Sequence, residues 1–161
     1  MILVTGSTGK VGQQLVAALK TKGAAFKALA RSEASFKALT ALGVETVKGD
    51  LGDPASMKAA LQGVDKLFLL SSASHFDRLE IGAIDAAQAA GVKHVVKLSS
   101  AGASGDSPNP LLRAHARAER ALEDSGLAFT ILRPNFFIQN WVAYFSQGIK
   151  AGQPVYVNAG E

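Results

Sequence analysis

Ile2-Leu3-Val4-Thr5-Gly6-Ser7-Thr8-Gly9-Lys10-Val11-Gly12 decides the fold. An apolar run leads into a glycine turn, and the helical pattern Val11, Leu15, Val16, Leu19 follows it. Strand, glycine turn and helix, in that order, are what a dinucleotide site needs. Gly6 makes the tight turn off the strand. Gly9 lets the backbone approach a pyrophosphate, and Gly12 lets the helix pack closely on the sheet. The helix aims unpaired N–H groups and the positive end of its dipole at the phosphates. Thr8, Lys10 and Val11 complete the candidate cofactor contacts of this segment. The glycines are spaced G-x-x-G-x-x-G, not G-x-G-x-x-G. Three glycines alone also fit an ordinary βα turn that binds nothing, so the flanking strand and helix carry the reading.

Outward from this segment, strand-like and helix-like runs alternate. Strands are expected at Ile2–Val4, Ala25–Ala30, Glu45–Lys48, Lys66–Leu70, Val95–Leu98 and Phe129–Arg133. Helices are expected at Lys10–Thr21, Ser35–Leu42, Pro54–Leu61, Asp77–Ala90 and Arg113–Ser125. Gly23, Gly43, Gly63, Gly91 and Gly126 each fall just past a helix end, where a left-handed residue is wanted. Asp53-Pro54 supplies an N-cap and an N1 proline. The expected fold is α/β: a doubly wound parallel sheet of the Rossmann type, strand order 3-2-1-4-5-6, with helices on both faces. Residues 1–140 form the dinucleotide-binding domain. Ala101 to Pro110 reads as a loop over the site, and Trp141, Tyr144 and Phe145 suggest a short helix broken at Gly152-Gln153-Pro154.

Composition narrows the classes. The 161 residues, 48% of them apolar, suit one domain with a real core. The net charge of +4 comes from scattered basic residues, so a small anionic ligand explains it and nucleic-acid binding is not required. There is no cysteine, which excludes disulfides, thiolate metal sites and Cys nucleophiles. A cytoplasmic setting is expected: no signal peptide precedes the first strand, and no apolar stretch is long enough to span a bilayer. The expected partner is a small-molecule substrate, with a homodimer left open.

Ligands in such sheets bind beyond the carboxyl ends of the strands. The second strand ends in Arg31-Ser32, where an NAD site usually offers a carboxylate to the ribose. A guanidinium can hold a 2′-phosphate in its fork, so NADP(H) is preferred, with Glu33 close enough to keep NAD(H) open. A plain surface arginine is the alternative. After the fourth strand, Ser71 and Ser72 can bond phosphate or ribose, and His75 faces either substrate or solvent. The sixth strand stops at Pro134, at the edge where a nicotinamide would lie, with Asn135 beside it. Phe136 and Phe137 would make an aromatic wall or pack in the core, and Asn140 can bond cofactor or substrate.

His115 and Glu119 lie four apart on one helix and so share a face. A His beside a carboxylate suits a proton donor near neutral pH. A structural surface pair fits the spacing equally well, and no third ligand nearby favours a metal.

Thr-Gly-x-Thr-Gly-x-x-Gly, Arg31, Ser99-Ser100, His115…Glu119, Ser125-Gly126-Leu127 and Thr130-Ile131-Leu132-Arg133-Pro134 together resemble the NmrA-like atypical short-chain dehydrogenase/reductases. Within them, the His-x-x-x-Glu arrangement is similar to the NADPH quinone reductase and triphenylmethane reductase branch. The resemblance implies that Asp50 and Leu51 lie against the adenine, and that Ser99 helps hold a reacting carbonyl. It also implies Tyr-x-x-x-Lys, which is missing: the two tyrosines, Tyr144 and Tyr156, are each followed four residues later by glycine. His115 and Glu119 fill those slots instead. Members of the family continue well past this length, so residues 141–161 are expected to begin a substrate lobe that is cut short.

Hydride transfer from NADPH to a quinone-like acceptor is therefore the expected activity, with Ser99 and His115 polarising the acceptor oxygen. A non-catalytic NADP(H) sensor is the alternative that the missing triad favours. A sugar-nucleotide epimerase or dehydratase is disfavoured, because it needs the missing tyrosine to take a proton from a sugar hydroxyl.

Overall fold

A computed structural model describes residues 1–71, 74–135 and 137–153. Ser72, Phe136 and Tyr156, and the end of the expected lobe, lie outside these. The described chain runs β1 (Ile2–Val4), α1 (Lys10–Thr21), β2 (Phe26–Ala30), α2 (Glu33–Ala41), β3 (Thr46–Lys48) and α3 (Pro54–Ala60). It continues β4 (Lys66–Leu69), α4 (Phe76–Ala89), β5 (His94–Leu98), α5 (Pro110–Asp124), β6 (Ala128–Leu132) and α6 (Ile138–Lys150). All six strands are parallel, in the order 3-2-1-4-5-6 that the alternation predicts. The order reverses between β1 and β4, where Val4 pairs with Phe68.

Strand alternation divides the core in two. Leu3, Leu67, Leu69 and Val95 point to the face covered by α3, α4 and α5, where they meet Met57, Ile84 and Leu122. Val4, Phe68 and Ala28 point the other way, against Val16 of α1 and Leu39 of α2. A residue-by-residue reversal of direction is what a strand buried on both faces requires.

Boundaries differ from the sequence reading by no more than two residues, except at the start of α5. α5 begins at Pro110, not Arg113, because Asn109 Oδ1 accepts from the Leu111 N–H at 2.9 Å and starts the helix earlier. α2 begins at Glu33, not Ser35, because Ser32 and Ser35 form a reciprocal capping box. α6 is also longer than the short helix expected and already includes Asn140. The five glycines expected past helix ends all have positive φ, between 62° and 74°. No helix among the described residues is long and apolar enough to cross a membrane.

Candidate cofactor and acceptor site

The glycine turn is fixed by contact. Gly6 has φ +62°, and its carbonyl accepts from the Gly9 N–H at 3.0 Å. A Cβ on Gly12 would stand 2.1 Å from the Gly6 oxygen and 2.7 Å from Ser7 Cα, so only hydrogen fits between helix and turn. Gly9 is the N-cap of α1 and offers no side-chain cap, and the first turn holds no acidic residue. Its N–H groups are therefore left for an anion. Beside this turn an open cleft of about 330 Å³ runs over the ends of β1, β2, β3 and β4. Gly6 and Thr8 line it; Gly9, Lys10, Val11 and Gly12 are not in its wall but set the helix behind it.

Arg31, Ser32 and Ser35 form one end of the cleft. Arg31 is exposed and makes no ion pair among the described residues. Glu33 is not in the wall; its carboxylate pairs with Lys48 Nζ at 2.7 Å. The residue that would serve a ribose hydroxyl is thus engaged elsewhere, while a guanidinium and two hydroxyls face the cleft. Asp50 and Leu51 line it at the end of β3. Asp50 also shapes its own turn: Oδ1 accepts from the Gly52 N–H at 2.9 Å.

The end of β4 closes the cleft with Leu70 and Ser71. Thr5, fully buried, ties β1 to it: its Oγ1 accepts from the Leu70 N–H at 2.8 Å and donates to the Leu70 carbonyl at 2.9 Å. His75 has φ 58°, the one non-glycine residue described with positive φ; it is exposed at the start of α4 and does not line the cleft.

Beyond β5 and β6 lies a different corner. Ser99 is buried, and its N–H donates to the Leu132 carbonyl at 2.7 Å. Its Oγ is close enough to the Glu119 carboxylate to help lower that group's pKa, but makes no hydrogen bond of ordinary geometry among the described residues. His115 stacks at a tilt on Phe76, ring centres 4.6 Å apart, and its Nδ1 is buried without a partner among the described residues. Burial, then the Lys97 charge, pushes the His115 pKa down to about 4. This weighs against the proton-donor reading of the pair. His115 and Glu119 do share a face, but the imidazole is neutral near pH 7 and is no ready proton donor there. Nor does Glu119 stand free to activate it: its carboxylate is held by Arg133 through two bonds of 3.0 and 2.6 Å. Burial opposes the Glu119 charge most strongly, but Arg133, Ser99 and Lys97 together outweigh it and leave that carboxyl below its ordinary pKa.

Pro134 and Asn135 follow β6, and the Pro134 carbonyl accepts from the Ala101 N–H at 2.8 Å, tying down the start of the 101–110 loop. Phe137 is 40% exposed as the N-cap of α6, and Asn140 sits in its first turn; neither lines the cleft.

Sequence reasoning passed over Glu80 and Lys97, whose buried side chains form an ion pair behind Ser71. A faint signal existed. Glu80 interrupts the stripe Phe76, Ala83, Ile84, Ala87, and Lys97 interrupts the apolar run Val95-Val96-Lys97-Leu98. Ser35 was also missed as a cleft residue.

Comparison with known proteins agrees with this geometry. The family described as NAD(P)H-binding matches residues 6–150. An NAD(P)H azoreductase from Xenophilus azovorans is 40% identical over 163 residues, covering 100% of this chain and 56% of that protein. The NADPH-dependent quinone oxidoreductase structure from Escherichia coli superposes with a TM-score of 0.83 at 35% identity, over 94% of this chain and 54% of that one. The Citrobacter triphenylmethane reductase complexed with NADP(H) superposes with a TM-score of 0.85 at 28% identity, over 99% of this chain and 57% of that one. The chain spans little more than half the length of these relatives. With a phosphate-ready helix start, a matching sheet order and a match across most of its length, the chain belongs to the NAD(P)H-binding family.

Proposed function

We propose that this chain is the cofactor-binding part of an NADPH-dependent reductase of quinone-like or other conjugated acceptors. The observation that carries the reading is the cleft end built from Arg31, Ser32 and Ser35; Ser99 and His115 do not line that cleft but lie in the separate corner beyond β5 and β6. Its likeness to an NAD(P)H azoreductase, an NADPH-dependent quinone oxidoreductase and a triphenylmethane reductase supports it. Bound NADPH would supply hydride. Arg31 would fork the 2′-phosphate, with Ser32 and Ser35 as further donors. The first turn of α1 would hold the pyrophosphate. Ser99 and the neutral His115 would bond an acceptor oxygen, and a reduced quinone can draw its protons from water. Most of the protein's work is then alignment of two flat partners. Residues 1–140 form the Rossmann domain, and 141–161 begin the substrate lobe. The setting is cytoplasmic.

One observation favours a second reading. With Glu119 engaged by Arg133 and no Tyr-x-x-x-Lys, the corner holds no evident acid, as an NADP(H) sensor without turnover would. NADPH oxidation, followed by absorbance with and without a benzoquinone, separates them. Quinone-dependent turnover supports the reductase. Tight NADPH binding with no turnover on a broad acceptor panel overturns it in favour of the sensor.

A further inference from the structure

The carboxyl end of β4 is clasped from two sides. Thr5 holds Leu70 from β1. From α4, Glu80 Oε1 accepts from the Ser71 N–H at 3.1 Å. The other Glu80 oxygen takes Lys97 Nζ from β5, and both side chains are 0% exposed. Leu70 and Ser71 line the cleft, whereas Glu80 and Lys97 do not. The pair therefore acts on the cleft wall from behind.

Stability alone does not account for such a pair. Removing two charges from water costs about as much as their attraction returns, and apolar replacements of similar volume are often neutral or stabilising. Burial raises the Glu80 pKa even against the Lys97 attraction, so the fold tolerates an unfavourable carboxylate at this point. A charged acceptor holds an N–H more firmly than a neutral one. Lys97 opposes the burial penalty on that carboxylate and fixes its direction. The N–H that Glu80 holds belongs to the second residue after β4, at the reversal of strand order where such sheets bind their ligands.

Resting on the NADPH-binding reading above, we propose that Glu80, clamped by Lys97, is a positioning residue for the cofactor, fixing the Ser71 N–H and with it the β4 wall of the cleft. It touches neither cofactor nor acceptor. Its effect is to keep one wall where the nucleotide needs it, without spending a cleft-lining side chain on the task.

Two double variants of the full chain test this. E80Q/K97M removes both charges but keeps a side-chain oxygen for Ser71. E80L/K97M removes the acceptor as well. NADPH affinity is read by fluorescence titration, and Ser71 amide exchange by NMR without ligand. E80L/K97M should bind NADPH about tenfold more weakly than E80Q/K97M, the scale of one lost hydrogen bond, and its Ser71 amide should exchange faster. Thermal unfolding checks that both are folded; E80M/K97M provides a second acceptor-free variant should leucine pack badly. Equal NADPH affinity in the two doubles overturns the proposal, as does equal Ser71 protection. A wild-type chain that binds no NADPH overturns the reading beneath it, which is a separate result from equal affinities in the variants.

Discussion

At the ends of β1, β2 and β3 the cleft is shaped largely by backbone and small side chains, with Arg31, Asp50 and Leu51 beside them: a left-handed Gly6, an uncapped helix start, Ser32, and Gly49 beneath Leu29. Behind and beyond the ends of β4, β5 and β6 the structure gathers ionisable side chains drawn from different elements: Glu80 with Lys97, Glu119 with Arg133, and His115 against Phe76. The first region holds open the cleft that the proposed reading assigns to phosphates and an adenosine. The second withdraws charge from water and leaves two polar atoms, Ser99 Oγ and His115 Nδ1, without ordinary partners among the described residues. Backbone suits a ligand whose phosphates never change. Side chains suit a place where one acceptor must be told from another.

The comparison can be broken most sharply at Gly12. A side chain there meets the Gly6 oxygen at 2.1 Å, and neither backbone can yield without moving the turn. Gly12→Val should lose about 3 kcal/mol of stability in urea unfolding, the upper range for overpacking, and should abolish NADPH binding. Near-wild-type behaviour would mean that backbone contact does not define this half.

Arg31 sharpens the same half, because it is the one long side chain that should read the cofactor there. Arg31→Ala should weaken NADPH by about 1–3 kcal/mol and leave NADH nearly unchanged. Equal losses for both cofactors would assign Arg31 to the surface.

The smallest effect tests the charged half. The folded His115 pKa of about 4 lies below its ordinary value of 6.5. Between these values the unfolded chain binds the extra proton, so stability is fully present above pH 6.5. It falls as pH drops toward 4 and levels off below that. The half-buried ring keeps some solvent screening, so the loss should be about 1 kcal/mol. Urea unfolding across this range should show it in the wild type and not in His115→Gln. Parallel curves would show that the ring is not held neutral.

These two regions were not equally legible. Gly6, Gly9 and Gly12 announce their roles because the backbone geometry they serve is local and falls within seven residues. The strand order followed from alternation, since parallel strands need crossovers and crossovers have one hand. Glu80, Lys97, Glu119 and Arg133 come from α4, β5, α5 and the end of β6. Nothing in their local spacing says that Arg133 takes the carboxylate assigned to His115. That pairing needs the sheet order and the strand register, in which Leu98 stands beside Leu132. The low pKa of His115 was not legible for the same reason: burial and the Lys97 charge act through space. Helix starts were missed where the caps, Ser32 and Asn109, lie before the apolar pattern begins.

The Thr5 clasp on Leu70 joins residues 65 apart in the chain. On one side of that seam, β1, β2 and β3 are neighbours in sequence. On the other, so are β4, β5 and β6. Each triplet can collapse on its own contacts, but the seam must wait for a long loop to close, so it is a natural late step in folding. A dinucleotide lying across the cleft would touch both sides of the seam and bind only the joined form. At a hundredfold excess over its Kd it adds about 2.7 kcal/mol to the folded state. Cofactor supply would then set how much of the chain survives heat and proteases, as well as how fast it could work.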